Sequence, residues 1–424
     1  MKMLLESLKN SPVTVWGAGR EGHACAEFLQ KRGCTVKIVE DPLTEPLEGV
    51  IVKSPGISRY RPEIAAAKQA GATFTTATNL FVQAARLSPK KPLLIGITGT
   101  KGKSTTSSLV ARLLSEQGKK VALCGNIGVP SISYADKVDD YDVFVLEVSS
   151  YQAADLEQGF DISVVLNLYP EHIDWHGSHE RYYQDKLNIV RVRPDGAPVV
   201  LNANNPRLSH YLPAAQNAVY FDAPDAIHIE NGLFYDGIEK LFPISAVNLK
   251  GEHNLKNVCA ALTAVKLAGG DLFLCEDALK TFHALPHRLQ ELPVRHGLRF
   301  VDDSIATTPE STLAALKSFP ETKIVLIAGG YDRKQDYTEL ADFVVRKGIQ
   351  VVTLPPTGER LARMIREKGG FAVEATDMTN AVESAAKAAN AGDLVLLSPA
   401  APSYGVYKNF EERGDIFAQC VAAL

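Results

Sequence analysis

One stretch constrains the fold more than any other: Ile95 to Val110, "IGITGTKGKSTTSSLV". An apolar run enters a turn holding Gly99 and Gly102, then leaves through Lys103 and Ser104 into a segment of helical period. That order belongs to a strand–turn–helix unit of an α/β sheet. The turn also has the parts of a phosphate cradle. Gly99 and Gly102 let the backbone come close, a helix N-terminus follows, and Lys103 supplies a fixed cation. Ser104 or Thr105 adds a hydroxyl suited to Mg2+. The G-x-x-x-x-G-K-[ST] spacing is broken, because Ile97 stands where its first glycine belongs. Ile97 lies upstream in the strand, so the cradle survives its loss. The alternative is a plain glycine turn with a capping serine, and the Lys-Ser order at the helix start argues against it.

The same alternation repeats along the chain. "VTVWGAGREGHACAEFLQKRGCTVKIVE" reads as strand, Gly17-Ala18-Gly19-Arg20-Glu21-Gly22 turn, helix and strand, a βαβ unit of Rossmann type. "GVIVKSPGI" adds a strand ending in a Ser54-Pro55-Gly56 turn. "DVFVLEVSS" and "ISVVLNLYP" are continuous apolar runs, as in parallel strands buried on both faces. After "ALPHRLQ" a third set of strands and helices follows. The expected fold is α/β in three domains: a Rossmann-like 1–87, a central P-loop-type parallel-sheet domain 88–284, and a C-terminal Rossmann-like 285–424. At 424 residues the chain is long enough for that division.

Composition excludes several classes. A net charge of −4, from 45 Lys and Arg against 49 Asp and Glu, argues against bulk nucleic-acid or anionic-membrane binding. The six cysteines form no C-x-x-C pair and read as reduced. The N-terminal apolar run is too short for a signal peptide, and no run of about 18 apolar residues exists to span a membrane. A cytoplasmic monomer is the expectation.

Chemistry-bearing residues fall just past the strands. Glu147 ends one; Glu171, His172 and Asp174 follow another, with Lys186 on the next helix. Ligands of open α/β sheets bind beyond the C-terminal strand ends, so these groups should converge on Lys103. A carboxylate, an imidazole and Ser104 suit Mg2+. His172, His176 and His179 are spaced four and three apart, as on a zinc-binding helix face. Pro170 and Gly177 argue against one continuous helix there, so His176 and His179 read as surface polar residues.

These segments resemble the Mur ligase family. "TGTKGKST" is similar to its T-G-T-x-G-K-[ST]-[ST] ATP loop, "EVSSYQ" to E-x-S-S-[FY]-Q, and "NLYPEHID" to N-[IV]-x-x-[DE]-H-x-D. "GEHNLKN", "PHRLQ", "DSIAT" and "LLSPAAPSYGVYKNFEERG" resemble further family segments, in the family's order. The resemblance implies ATP on Gly99, Thr100, Lys101, Gly102, Lys103, Ser104, Thr105, Asn254, Asn257, Arg288 and Asp303. It makes Lys103, His172 and Lys186 catalytic, with Lys186 carrying a carbamate. Two Mg2+ sites would draw on Ser104, Glu147, His172 and the Lys186 carbamate.

Gly17, Ala18, Gly19, Arg20, Ser54, Pro55, Gly56, Asn126, Ser149 and His172 would bind a uridine-diphosphate substrate, not a dinucleotide. Thr307, Arg333, Ser403 and Phe410 would receive glutamate. The implied activity is ATP-dependent joining of D-glutamate to UDP-N-acetylmuramoyl-L-alanine through an acyl phosphate, in peptidoglycan precursor synthesis. Ile305 and Gly405 stand where the family commonly has lysine and aspartate, which leaves L-glutamate as the alternative acceptor. The rivals are a folylpolyglutamate-synthase-like ligase, an ATP-binding regulator, and an NAD oxidoreductase that rests on Gly17–Gly22 alone.

Overall fold

The computed structural model describes residue 8 and residues 12–213, 215–283 and 286–424. The expected boundary at 284–285 therefore lies outside the described residues. The chain divides into two compact units, 1–248 with 253–282, and 249–252 with 283–424.

The first unit holds two sheets. The smaller comprises β1 (Val13–Trp16), β2 (Val36–Val39), β3 (Val50–Lys53) and β4 (Thr73–Thr75), in the order β2-β1-β3-β4 and parallel throughout. Helix α1 (Arg20–Lys31) follows β1, α2 (Pro62–Gln69) follows β3 and α3 (Ala77–Leu87) follows β4. Gly17 and Gly22 are required at the β1–α1 turn. A Cβ on Gly22 would stand 1.9 Å from the Gly17 carbonyl oxygen, and one on Gly17 would stand 2.5 Å from Ser54 Oγ.

The larger sheet is built on β5 (Leu93–Thr98), β6 (Val121–Gly125), β7 (Val143–Glu147), β8 (Ile162–Val165) and β9 (Val199–Asn202). Four short strands extend it: β10 (Ala218–Phe221), β11 (Ile227–Glu230), β12 (Leu233–Asp236) and β13 (Glu239–Pro243). The order is β13-β12-β11-β10-β9-β8-β5-β7-β6. Helix α4 (Lys103–Glu116) follows β5, α5 (Ser150–Ala154) follows β7, and α6 (Ile173–His176) and α7 (His179–Lys186) follow β8. Strand β5 is flanked by β7 on one side and β8 on the other. The connections diverge there, so the crevice beyond the C-terminal ends of these three strands is the topological place for a ligand.

The two sheets share one hydrophobic core. Phe28, Leu80 and Phe81 from α1 and α3 pack in one cluster with Phe144 of β7 and Leu146. The Phe81 and Phe144 rings meet edge to face, centroids 5.1 Å apart.

The second unit carries β14 (Gln290–Arg295), β15 (Leu298–Asp302), β16 (Ile324–Gly329), β17 (Gln350–Leu354), β18 (Ala372–Glu374) and β19 (Leu394–Leu397), ordered β14-β15-β19-β16-β17-β18. Only the β14–β15 pair is antiparallel. Helix α8 (Pro309–Lys317) comes after β15, and α9 (Phe410–Ala422) after β19. Among the described residues no helix is long and apolar enough to cross a membrane.

Candidate functional site

The register of the large sheet sets the site. Ile97 pairs with Glu147 and Thr98 with Val165, so the phosphate loop, Glu147 and the segment after β8 leave the sheet at one level. Gly102 caps α4 in the left-handed region, φ 85°, which glycine adopts without strain. A Cβ there would also lie 2.3 Å from Asn257 Oδ1. Asn257 in turn donates to Asn254 Oδ1 (3.1 Å), so both asparagines stand at the loop.

Asn167 holds the loop from the β8 side. It accepts the Lys101 N–H through Oδ1 (2.9 Å) and donates to the Lys101 carbonyl (3.0 Å), while its own carbonyl takes the Thr100 N–H (3.0 Å). Lys103 Nζ donates to the Gly99 and Thr100 carbonyls at 3.0 and 3.1 Å.

Lys101 Nζ meets Glu171 Oε1 at 2.7 Å. Burial pushes the Glu171 carboxyl up, but Lys101, His172 and Lys103 together outweigh it and bring it to about 2. His172 sits in the left-handed region, φ 56°, costly for a side-chain-bearing residue and typical of functional sites. Burial above all holds its imidazole down, to about 4, so it is neutral near pH 7. Its Nδ1 meets the Tyr151 hydroxyl at 2.9 Å.

Lys186 is fully buried and donates to the Gly99 carbonyl at 3.1 Å. Burial first, and Lys103 second, hold its amine well below the usual lysine range. A lysine so placed favours the uncharged, nucleophilic form.

The residues present fit a hard divalent cation. Thr105 Oγ1 and Glu147 Oε2 are buried without a hydrogen-bond partner among the described residues, while Glu147 Oε1 accepts from Asn126 (2.6 Å). Oxygen donors of this kind suit Mg2+. No three His, Cys, Asp or Glu side chains gather into a metal cluster among the described residues.

His176 corrects the sequence reading. It is fully buried rather than on the surface, with Nδ1 at 2.6 Å from Asp185 and Nε2 at 3.0 Å from Ser150 Oγ. A buried polar side chain persists where both ends are bonded, and these partners lie 9 and 26 residues away.

At the C-terminal edge of the small sheet, the Ser54 N–H donates to the Trp16 carbonyl (2.9 Å) and its hydroxyl to the Gly17 carbonyl (3.2 Å). This joins the Gly17–Arg20 and Ser54–Gly56 turns. Arg20 donates to the Gly128 carbonyl (2.9 Å), in the loop that follows Asn126. Ser149 caps α5 in a reciprocal capping box with Gln152.

Glu21 was not singled out from sequence, since a glutamate in a helix first turn is ordinary. Burial pushes its carboxyl from 4.5 up to about 7, although Thr78 and Lys53 pull the other way. Its folded value lies above its unfolded one. Its contribution to stability is therefore greatest when it is protonated, and falls as pH rises from about 4.5 to 7. We expect Glu21→Gln to flatten that fall and to stabilise the unit by about 1–3 kcal/mol at pH 8. Urea unfolding at pH 5 and pH 8 checks this through tryptophan fluorescence, because both tryptophans, Trp16 and Trp175, lie in the first unit.

In the second unit β15, β19 and β16 lie side by side, with Leu397 paired to Asp302 and to Ile327. Their C-terminal ends bring Asp303, Thr307, Ser403 and Arg333 to one sheet edge. Asp303 accepts from Ser398 Oγ (2.8 Å), and burial raises its carboxyl to about 7 despite Ser398 and Arg288. The Arg333 guanidinium lies over the Tyr404 ring, 5.4 Å from its centroid. Phe410 begins α9, with its ring 6.3 Å from that of His287. Arg413 lies within the C-terminal segment quoted from sequence but was given no role there. It is fully buried and donates to the Ser304 carbonyl (2.7 Å), Ser304 Oγ (3.0 Å) and the Ala401 carbonyl (2.9 Å), pinning the loops after β15 and β19 together.

Two family models match the chain: the Mur ligase middle domain over residues 97–265, and the Mur ligase glutamate ligase domain over 287–401. The UDP-N-acetylmuramoyl-L-alanine–L-glutamate ligase of Xanthomonas campestris pv. campestris (strain 8004) is 36% identical, covering 98% of this chain and 96% of its own. The enzyme of the same name from Salinispora tropica is 35% identical, with 99% of each chain covered. Among solved structures, MurF ligase from Thermotoga maritima in complex with ADP superposes with a TM-score of 0.65 at 18% identity, over 99% of this chain and 97% of its own. Folylpolyglutamate synthase from Mycobacterium tuberculosis gives 0.63 at 15% identity, but covers only 80% of this chain.

Proposed function

The chain belongs to the Mur ligase family, and we propose that it joins L-glutamate to UDP-N-acetylmuramoyl-L-alanine, converting ATP to ADP and phosphate. It is an ATP-dependent, amide-forming ligase. The resemblance in sequence points first to D-glutamate. What moves the choice to L-glutamate is the name carried by relatives matched over nearly the whole chain. It agrees with Ile305 and Gly405, which depart from the family pattern. Gly405 has φ 81°, a backbone that an aspartate adopts only with strain.

In this reading the substrate carboxylate attacks the γ-phosphorus of ATP. The bond to the β–γ bridging oxygen breaks, ADP leaves, and an acyl phosphate forms. The glutamate amine then attacks the acyl carbon, and phosphate departs with the electron pair of the C–O bond. Lys103 and the loop N–H groups stabilise charge on the transferring group. His172, neutral near pH 7, leaves one ring nitrogen unprotonated to ligate Mg2+ while the other donates to the Tyr151 hydroxyl. Mg2+, held by Ser104 or Thr105, Glu147, His172 and a carbamate on Lys186, would neutralise phosphate charge. Asn254, Asn257, Arg288 and Asp303 take the nucleotide. Gly17–Arg20, Ser54–Gly56, Asn126 and Ser149 take the uridine diphosphate substrate, and Thr307, Arg333, Ser403 and Phe410 take glutamate. Arg333 suits a carboxylate, which a guanidinium binds with two hydrogen bonds. We place the domains at 1–87, 88–284 and 285–424, and the working state as a cytoplasmic monomer.

The test is phosphate release from ATP with UDP-N-acetylmuramoyl-L-alanine and either enantiomer of glutamate, with the product identified by mass. Release with L-glutamate at least tenfold faster than with D-glutamate is expected. The reverse preference overturns the stereochemical assignment, and release with neither overturns the acceptor.

A further inference from the structure

The turn after β3 does not stand free at the edge of its sheet. Trp175 of α6 donates its indole N–H to both the Pro55 and the Gly56 carbonyls, each at 3.1 Å. Ser58 Oγ returns a hydrogen bond to the Trp175 carbonyl at 2.6 Å. Two residues on, the Tyr60 hydroxyl donates to both oxygens of Asp185 at 2.9 and 3.0 Å. The Tyr60 ring meets Trp175 edge-on at 6.2 Å, and the Arg181 guanidinium lies 5.0 Å from its centroid.

The other side of each anchor leads inward. The Trp175 indole stacks on Tyr151, centroids 4.8 Å apart at 24°, and the Tyr151 hydroxyl meets His172 Nδ1. Asp185 immediately precedes Lys186 and is fixed from within by His176, whose far nitrogen is held by Ser150. Two short lines of contact therefore join Ser54–Tyr60 to the groups around the phosphate loop. One runs through Trp175 and Tyr151 to His172, the other through Tyr60 and Asp185 to the turn of helix carrying Lys186.

From this we infer that Trp175 and Tyr60 are positioning residues: they clasp the turn that receives the nucleotide end of the substrate in fixed register with the groups that act on its far carboxylate. The inference rests on the proposed binding of a uridine diphosphate substrate at Ser54–Gly56. A substrate held at one sheet and transformed at another reacts only if the two grips keep their spacing, and a displacement of about 1 Å costs on the order of 100-fold in rate. The bonds to Pro55 and Gly56 are made to main-chain carbonyls, so they set the path of the turn itself.

Trp175→Phe keeps the stacked ring and removes the donor; Tyr60→Phe removes only the hydroxyl. Steady-state ligation should show kcat lowered at least about tenfold and KM for UDP-N-acetylmuramoyl-L-alanine raised at least about fivefold in each variant, with KM for ATP and for L-glutamate within about twofold of the wild type. A merely structural role would reduce the active fraction and leave all three KM values alone. That result, or a rise shared by all three substrates, overturns the clasp. If the wild type does not ligate this acceptor, titration calorimetry with UDP decides separately. UDP binding that both variants weaken at least fivefold keeps the clasp while the acceptor assignment fails. UDP that the wild type does not bind, or that all three proteins bind equally, removes it.

Discussion

Lys103→Ala should lower kcat by about 100- to 1,000-fold, the usual effect of deleting one preorganised donor to a developing negative charge. Lys103 is the first residue of α4, and its amine lies against the Gly99 and Thr100 carbonyls. Lys101 does not replace it, since its amine is committed to Glu171 at 2.7 Å. The variant should keep its fold, because the loop is held independently by Asn167. Phosphate release under saturating substrates, with circular dichroism as the folding control, checks it. Activity within tenfold of the wild type would remove Lys103 from the phosphoryl-transfer step.

Lys186→Ala should be as damaging, and for a different reason. Burial above all, and Lys103 second, disfavour the charged amine, although Glu171 and Glu147 pull the other way. The proposed addition of carbon dioxide to this amine forms an N–C bond, releases a proton and leaves an anion. That change turns the repulsion from Lys103 into attraction and adds oxygen donors beside Glu147. Losing it should cost about 100-fold or more in kcat. Because the proposed carbamate presents a carboxylate-like group, acetate or formate at tens of millimolar should restore at least tenfold of the loss. Loss without rescue would mean that Lys186 acts as an amine or as packing; no loss would remove it from the site.

The parts of this site that are local in sequence were the legible ones. The strand–glycine–lysine–helix order at Ile95–Val110 can be read directly, because each requirement of a phosphate cradle falls within a few residues. Glu147, Glu171 and His172 could be placed because apolar runs announce buried strands, and strand ends announce the crevice. The clasp could not. Trp175 and Pro55 are 120 residues apart, and Tyr60 and Asp185 are 125 apart. No periodicity links positions so distant. His176 was misread for the same reason: a lone histidine beside Gly177 looks solvated until Ser150 and Asp185 are seen on either side of it. Strands β10 to β13 also went unread. They are only four or five residues long and mostly half-buried or exposed, which gives no continuous apolar signal.

In the third sheet, Asp303, Thr307, Arg333 and Ser403 were found by resemblance, and the strand order β15-β19-β16 supplies the physical reason they lie together. Arg413 shows what resemblance to a segment leaves out. Its letters were in view, but only the fold reveals a buried guanidinium tying two loops by their carbonyls.

The central claim is that this constellation activates a carboxylate by phosphorylation. It is tested most directly by ligation with UDP-N-acetylmuramoyl-L-alanine labelled with oxygen-18 in its alanyl carboxylate. Attack of that carboxylate on ATP predicts one labelled oxygen in each phosphate released. Unlabelled phosphate alongside an intact amide product would contradict the acyl phosphate and the roles drawn for Lys103 and Lys186 around it.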